Sequence, residues 1–354
     1  MTLGSAKKRS PHNRCIRDLF RFSSRREQQQ PTIRSMTQPS QSSSDAPADS
    51  LVSVLIPCFN HEHYVVQALQ SVADSSHGQL ELVLIDDASS DGSFSAAERW
   101  LKANESRFAR VVFERHTSNR GIARTLNELV THSTGRFLAF LASDDLLVAD
   151  GISKQVGFAL KRDIRFVFAD ARLIDESGNT ISNSAIHYYG RSPSHLARKS
   201  CLVVDVVFNW EMPWTKIFAS AELFAEIGQF EEGLSFEDRD FIMRVISHES
   251  FALMPEPVYC YRLRRGNRLT PGLDSARMRL DYLRSENQNF RRASGFVRLL
   301  LGLNVLAGRV RFDAKGRQRR SLVWPLFAAV RRVVARAHLA AMRQRHAPVS
   351  DIQA

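Results

Sequence analysis

Among the adjacent carboxylates in the middle of this 354-residue chain, three pairs sit where chemistry is expected: Asp86–Asp87, Asp144–Asp145 and Glu237–Asp238. Neighbouring carboxylates raise one another's pKa, so such pairs are costly unless a cation or hydrogen-bond donors offset the repulsion. Hard oxygen ligands of this kind suit Mg²⁺ or Mn²⁺, which bind through one or two carboxylates plus the phosphates of a substrate. A single Asp-Asp pair is equally a solvated turn, whereas two in one domain need a reason. A carboxylate lifted by its neighbour is also poised to act as a general base near neutral pH. On local grounds alone, Glu237 and Asp238 equally complement the dipole of a helix they begin, an effect of a few tenths of a kcal/mol.

The elements that must position these pairs are legible in the hydrophobic pattern. VSVLIP, starting at Val52, is a continuous apolar run suited to a strand buried on both faces of a parallel sheet, and ELVLID (81–86) is a second. Asn60 can cap a helix whose Tyr64, Ala68, Leu69 and Val72 share one face. RVVFE predicts a strand, the stripe Ile122, Leu126, Leu129 and Val130 a helix from Gly121, and RFLAFL (136–141) a further strand. Strands alternating with helices at this spacing predict a parallel, doubly wound α/β sheet with ligands at the carboxyl ends of its strands. Asn60, Asp86, Asp87, Ser143, Asp144 and Asp145 all fall at such ends. Beyond Asp145 the pattern predicts a strand at RFVFAD (165–170) and a helix AELFAEI opened by Ser220 and stopped by Gly228. A second helix follows from Glu237, with Phe241, Ile242, Val245 and Ile246 inward and Arg239, Asp240 and Arg244 on its wet side.

In SVLIPCFNHEHYVVQALQSV, LVLIDDASSDGS, NRGIARTLNELVTHSTGRFLAFLASDDLL and GQFEEGLSFEDRDFIMR, in this order and spacing, the chain resembles a family 2 glycosyltransferase of the GT-A fold over about 220 residues. The resemblance implies a mixed, mainly parallel doubly wound sheet flanked by helices. It also implies a nucleotide-diphospho-sugar donor and a Mg or Mn cation. By similarity Pro57, Phe59, Asn60, Asp86 and Asp87 hold the nucleoside, with plain core packing the lesser alternative for Phe59. Asn119, Arg120 and Gly121 resemble the NxG turn, where a helix N-terminus helps fix the nucleotide; a structural cap is the other reading of Asn119. LASDDLL corresponds to the metal loop, commonly DxDD, with Ala142 in place of the first Asp. Asp145 is then the metal ligand and Asp144 supports ribose or metal. The Asp of the family's ED motif is the general base, which falls on Asp238 beside Glu237. The family's YRxH segment reads Tyr261, Arg262, Leu263, Arg264, Arg265 here and lacks the His, so Arg264 or Arg265 is placed to pair with the departing diphosphate. A solvated basic loop is the alternative.

The formal net charge is +12, but it is unevenly spread. Residues 1–50 hold nine Lys/Arg against four Asp/Glu, residues 271–354 seventeen against five, and residues 51–270 twenty-three against twenty-eight. The acidic centre argues against nucleic-acid binding, whose basic residues interleave with aromatic stacking surfaces. A catalytically silent nucleotide-binding relative is the further alternative. The expected organisation is a disordered Ser/Gln/Arg-rich arm over 1–50, a catalytic domain over 51–270 and a basic helical tail over 271–354. In the tail, FVRLLLGLNVLAGRVRF and SLVWPLFAAVRRVVARAHLAAMRQR interleave apolar stretches with Arg, as helices lying on an anionic membrane do. A cap packed on the catalytic domain fits the same pattern. The most apolar stretch, Phe296 to Gly308, is 13 residues and carries Arg298, short of the ~20 that span a bilayer. Cys15, Cys58, Cys201 and Cys260 have no CxxC spacing, and no apolar run marks a signal peptide. The expected location is cytoplasmic, peripheral at the inner face of the cytoplasmic membrane, with a glycan or lipid-linked acceptor.

Overall fold

The structure is a computed structural model that describes residues 50–209, 216–248, 250–264, 275–317 and 329. The arm expected over 1–50, save Ser50, and the second tail helix, save Ala329, lie outside the described residues. Strands β1 (Val52–Cys58), β2 (Leu80–Asp86), β3 (Arg110–Arg115) and β4 (Phe137–Phe140) form the parallel half of a nine-stranded sheet, in the order β3-β2-β1-β4. Helices α1 (Val65–Ala73), α2 (Ser93–Asn104) and α3 (Ile122–His132) make the crossovers. β1 and β2 are interior strands, which is why their side chains are apolar on both faces. Val54, Ile56, Leu82 and Leu84 pack with Val65, Leu69 and Val72 of α1 and Ala97 and Leu101 of α2. Leu55, Val83 and Ile85 pack on the opposite face with Ala123, Leu126 and Leu129 of α3. Each such side chain contributes about 1.5–3 kcal/mol relative to exposure, so helices on both faces are the stable solution and the doubly wound class follows.

The second half is mixed. After β5 (Leu146–Leu147) and α4 (Gly151–Arg162) come β6 (Phe166–Ile174), β7 (Thr180–Ser182), the short helices α5 (Ala185–Tyr188) and α6 (Pro193–Leu196), and α7 (Lys199–Phe208). β8 (Phe218–Ser220), α8 (Ala221–Ile227), α9 (Glu237–Ser247) and β9 (Phe251–Arg262) follow, then α10 (Ala276–Arg292) and α11 (Gly295–Arg311). The sheet continues β4-β8-β6-β9-β5, with β6 and β9 parallel, the other neighbours antiparallel, and β7 on β6. Ser220 does cap α8, its hydroxyl accepting from Leu223 N–H, and Gly228 ends that helix at φ 83°.

Two local expectations fail. Asn60 does not cap α1, whose first turn has no side-chain cap. Instead Asn60 adopts φ 54° and its Oδ1 accepts from Ser90 N–H, tying the β1 loop to the β2 loop. The supposed wet side of α9 is interior: Arg239, Asp240 and Arg244 are all buried. The charged residues are matched by polar partners from α10 and by loop carbonyls, so burial does not leave them unpaired.

Candidate active site

The register aligns the strand ends. Cys58 pairs with Asp86 and Leu55 with Phe140, which brings the loops after β1, β2 and β4 to one edge of the sheet. Two of the described non-glycine residues with left-handed backbone, Asn60 and Ala88, lie in these loops. Such conformations cost on the order of 1–3 kcal/mol and persist where surroundings over-determine them. Asp87 supplies part of that determination. Its Oδ1 accepts from Arg120 N–H at 2.7 Å and its Oδ2 from Gly121 N–H at 2.9 Å. His116 Nδ1 stands 2.7 Å from Oδ1, and Asn119 Nδ2 donates to the Asp87 carbonyl at 3.3 Å. Gly121 sits at φ 87°, a conformation glycine adopts without strain, and is the backbone cap of α3. Asn119 therefore braces the Asp87 loop rather than capping the helix with its side chain.

A cavity of about 260 Å³ opens beside this loop, lined by Pro57, Phe59, His61, Asp87, Asn119 and Gly121 among others. Phe59, 44% exposed, packs into no core, and its ring is available to a planar ligand. Asn60 shapes the rim through the Ser89 and Ser90 contacts. Asp86 is placed differently. Fully buried under the turn, it accepts from Ser89 N–H, lies 3.4 Å from Arg115 Nε and does not line the cavity.

The LASDDLL loop forms the next part of the edge. Asp144 Oδ2 pairs with Arg264 Nη2 at 2.9 Å, and Asp145 Oδ2 has Lys216 Nζ at 2.5 Å. Arg262 is a buried strut: its backbone N–H donates to Asp145 Oδ1, its Nε to the Asp144 carbonyl and its Nη1 to the carbonyls of Asp175 and Glu176. His61 Nε2 faces Arg264 Nη2 at 2.9 Å. A guanidinium only donates, so Nε2 accepts and the neutral ring carries its proton on Nδ1, which donates to Ser143 Oγ at 2.8 Å. Burial first, and Arg264 with it, holds the His61 pKa below its usual value against the pull of Asp144. Burial pushes the Asp145 carboxyl up, Lys216 pulls it back and Asp144 adds repulsion. Sequence reasoning missed Lys216 and His61. Their only signal was a cation just before the short strand β8, which lies between β4 and β6, and a His one turn ahead of α1. Arg265 lies outside the described residues.

A second cavity, about 240 Å³, adjoins the first, and Pro57, Ile122 and Ala142 line both. Its remaining walls include Lys216, Glu237 and Asp238 with apolar side chains such as Leu126 and Phe230. The pair at the start of α9 is desolvated: burial and then Asp238 raise the Glu237 carboxyl to about 8, and burial likewise raises Asp238. The two titrate together, and one proton shared between them leaves a single carboxylate able to accept another.

Among the described residues no three His, Cys, Asp or Glu side chains converge on one point. Mg²⁺ and Mn²⁺ do not require such a cage when substrate phosphates complete the shell. Among the described residues, Asp145 Oδ2 is buried, accepts no hydrogen bond of good geometry and has the Lys216 ammonium against it. With Asp144 beside it, this donor set fits a divalent cation.

A mixed α/β sheet with a cleft at its strand ends, bounded by an Asp-Asp loop and a helix-borne Glu-Asp pair, is the GT-A architecture. Residues 53–217 match the family described as Glycosyl transferase family 2, and that part of the chain belongs to it. A glycosyltransferase of Bacillus subtilis (strain 168) named for teichuronic acid biosynthesis is 33% identical over 131 residues, 37% of this chain and 50% of that protein. The UDP-Glc:alpha-D-GlcNAc-diphosphoundecaprenol beta-1,3-glucosyltransferase WfgD of Escherichia coli is 30% identical over 129 residues, 36% of this chain and 49% of that one. The chain thus spans about half the length of these relatives. In fold it is similar to S. aureus TarS 1-349 in complex with UDP-GlcNAc, at TM-score 0.56 and 16% identity over 74% of this chain and 73% of that one. It is also similar to the mannosyltransferase PcManGT of Pyrobaculum calidifontis in complex with GDP-Man and Mn2+, at TM-score 0.52 and 19% identity, covering 84% and 79%.

Proposed function

We propose that this chain is an inverting glycosyltransferase that moves a sugar from a nucleotide diphosphate to an acceptor hydroxyl in the synthesis of a surface glycan. The observation that carries the reading is that the two cavities share Pro57, Ile122 and Ala142, one beside the Asp87 loop and the other lined by Glu237, Asp238 and Lys216, whose ammonium reaches Asp145. The nucleoside lies against Phe59 and the Asp87 loop, and the donor sugar points toward α9. Asp238 takes the proton of the acceptor hydroxyl. The acceptor oxygen then forms its bond to the anomeric carbon as the bond to the diphosphate breaks on the opposite face. Burial raises both carboxyls of the Glu237–Asp238 pair, and one proton shared between them leaves one carboxylate to take the acceptor's proton. Asp145 and Asp144 would hold a divalent cation, which would supply countercharge for the diphosphate, and Lys216 beside Asp145 and Arg264 beside Asp144 would add to it.

One relative is named for teichuronic acid biosynthesis and another for glucosyl transfer to GlcNAc-diphosphoundecaprenol, which favours a glycan or lipid-linked acceptor. A membrane-surface site fits α11, where Leu299 and Leu306 are 54% and 49% exposed beside Arg298 and Arg309. Among the described residues no helix is long and apolar enough to cross a membrane; the contact proposed for α11 is a peripheral one, at the inner face of the cytoplasmic membrane. The reading is tested by screening UDP-, GDP-, CDP- and dTDP-sugars for thermal stabilisation with and without Mn²⁺, because a ligand that binds only the native state raises its melting temperature. At least one diphosphate should shift it in a Mn²⁺-dependent way, and no shift with any of them refutes the donor site.

A further inference from the structure

Arg239, the residue after Asp238, is 4% exposed, and Asp240 is 1% exposed. A guanidinium taken out of water costs several kcal/mol unless its donors are matched, and here the match comes from the chain that follows the sheet. Arg239 Nη2 and Nε donate to Oε1 of Glu286 on α10 at 2.5 and 3.0 Å, and Nη2 donates to the Val207 carbonyl at the end of α7 at 3.2 Å. Glu286 is fully buried. One residue on, Asp240 Oδ1 accepts from Ser285 Oγ at 2.9 Å and Asn289 Nδ2 at 2.8 Å, again from α10. Asn304 of α11 donates to the Val207 carbonyl at 3.1 Å. The first turn of α9 is thus held from behind by α10, α11 and the end of α7.

We infer that Glu286 is a positioning residue for the general base: by holding the Arg239 guanidinium on the α10 side, it fixes the first turn of α9 and keeps that cation from neutralising Asp238. The inference rests on the reading of Asp238 as the base. It also makes residues 276–311 part of the catalytic unit instead of a separable tail. Among the described residues, the charged and titratable groups acting on Asp238 are Glu237 and Arg239 on its own helix, Lys216 from the β8 side, and Glu286 and Tyr282 acting through Arg239 from α10. Among these, Glu286 is the anion that binds Arg239 away from the cleft. Removing its charge turns the guanidinium's field onto Asp238, which favours the carboxylate, lowers its pKa and weakens it as a base.

The test uses the full-length protein and a sugar-transfer assay. Glu286→Gln should lower kcat roughly tenfold or more, within the span that general-base catalysis contributes, leave nucleotide-diphosphate affinity unchanged and move the acid limb of the kcat/KM profile to lower pH. Glu286→Asp keeps the charge and should restore the limb with only partial loss of kcat, and it serves if the Gln variant does not fold. A lowered melting temperature with kcat and limb unchanged, or an equal loss of nucleotide affinity, overturns the inference. Asp238→Asn separates it from the reading beneath it. An active Asp238→Asn enzyme removes the base itself, whereas an inactive one beside an unperturbed Glu286→Gln enzyme removes only the positioning role.

Discussion

Lys216 Nζ lies 2.5 Å from Asp145 Oδ2, so the carboxylate best placed to hold a metal is already balanced by a cation from the segment leading into β8. The pair is nearly closed to solvent, with side chains 9% and 2% exposed, where screening is weak and one charge strongly governs the next. A divalent ion at the proposed site would therefore compete with the lysine, which would then be free to face the phosphates.

Lys216→Met should accordingly tighten the binding of free Mn²⁺ and weaken that of the nucleotide diphosphate, each by about tenfold, the factor that 1.4 kcal/mol of lost pairing represents. Calorimetric titration with Mn²⁺ alone and then with nucleotide separates the two effects. A parallel loss of both affinities would mean that Lys216 only holds the loop together.

Asp145→Asn should abolish Mn²⁺-dependent nucleotide binding, and it should also destabilise the fold. Breaking one partner of a buried pair costs about 3–5 kcal/mol because the other charge stays buried. Denaturant unfolding should show that loss, reduced in the double variant Asp145→Asn/Lys216→Met. Unchanged Mn²⁺-dependent affinity in Asp145→Asn would remove the metal assignment.

Glu237 makes stability depend on pH in a defined direction. Its folded pKa, about 8, lies above the ordinary 4.5, so the folded state favours the protonated form. That contribution is complete below 4.5 and is lost as pH rises through 8. Glu237→Gln should raise the melting temperature at pH 8 relative to wild type and flatten its decline above pH 4.5. A variant with the wild-type slope would show that another group carries it.

The base assignment predicts a separation of binding from chemistry. Asp238→Asn should retain donor affinity and lower transfer by about 10²–10⁴-fold. Single-turnover kinetics alongside nucleotide titration checks both, and near-normal turnover excludes Asp238.

Leu299 and Leu306 are a peripheral contact only if they meet lipid. Leu299→Ser/Leu306→Ser should lower cosedimentation with anionic vesicles at low salt and leave nucleotide affinity as in wild type. Vesicle binding that ignores both substitutions and added salt places any membrane contact elsewhere.

While the short strands β5, β7 and β8 and the long β9 were not read, sequence alone determined β1 to β4 and β6, the carboxylate pairs after β2 and β4 and the class of chemistry. Those features depend on local pattern: an interior strand must be apolar on both faces, and Asp87, Asp145 and Asp238 each sit in a contiguous motif. The cap at Ser220 and the stop at Gly228 were readable for the same reason, since both act within one turn. Only the tertiary structure decided which polar groups face the cleft. Asp86 and Asp87 are adjacent, yet one is sealed under Arg115 while the other holds the start of α3. Arg239, Asp240 and Arg244 fall on a face that helical periodicity assigns to water, and burial there depends on Glu286, Ser285 and Asn289 about 45 residues later and on the carbonyls before α9. Lys216 and Asp145 are 71 positions apart and meet because β8 pairs antiparallel with β4. A buried polar residue is stable only through partners that long-range docking supplies, and periodicity carries no record of those partners.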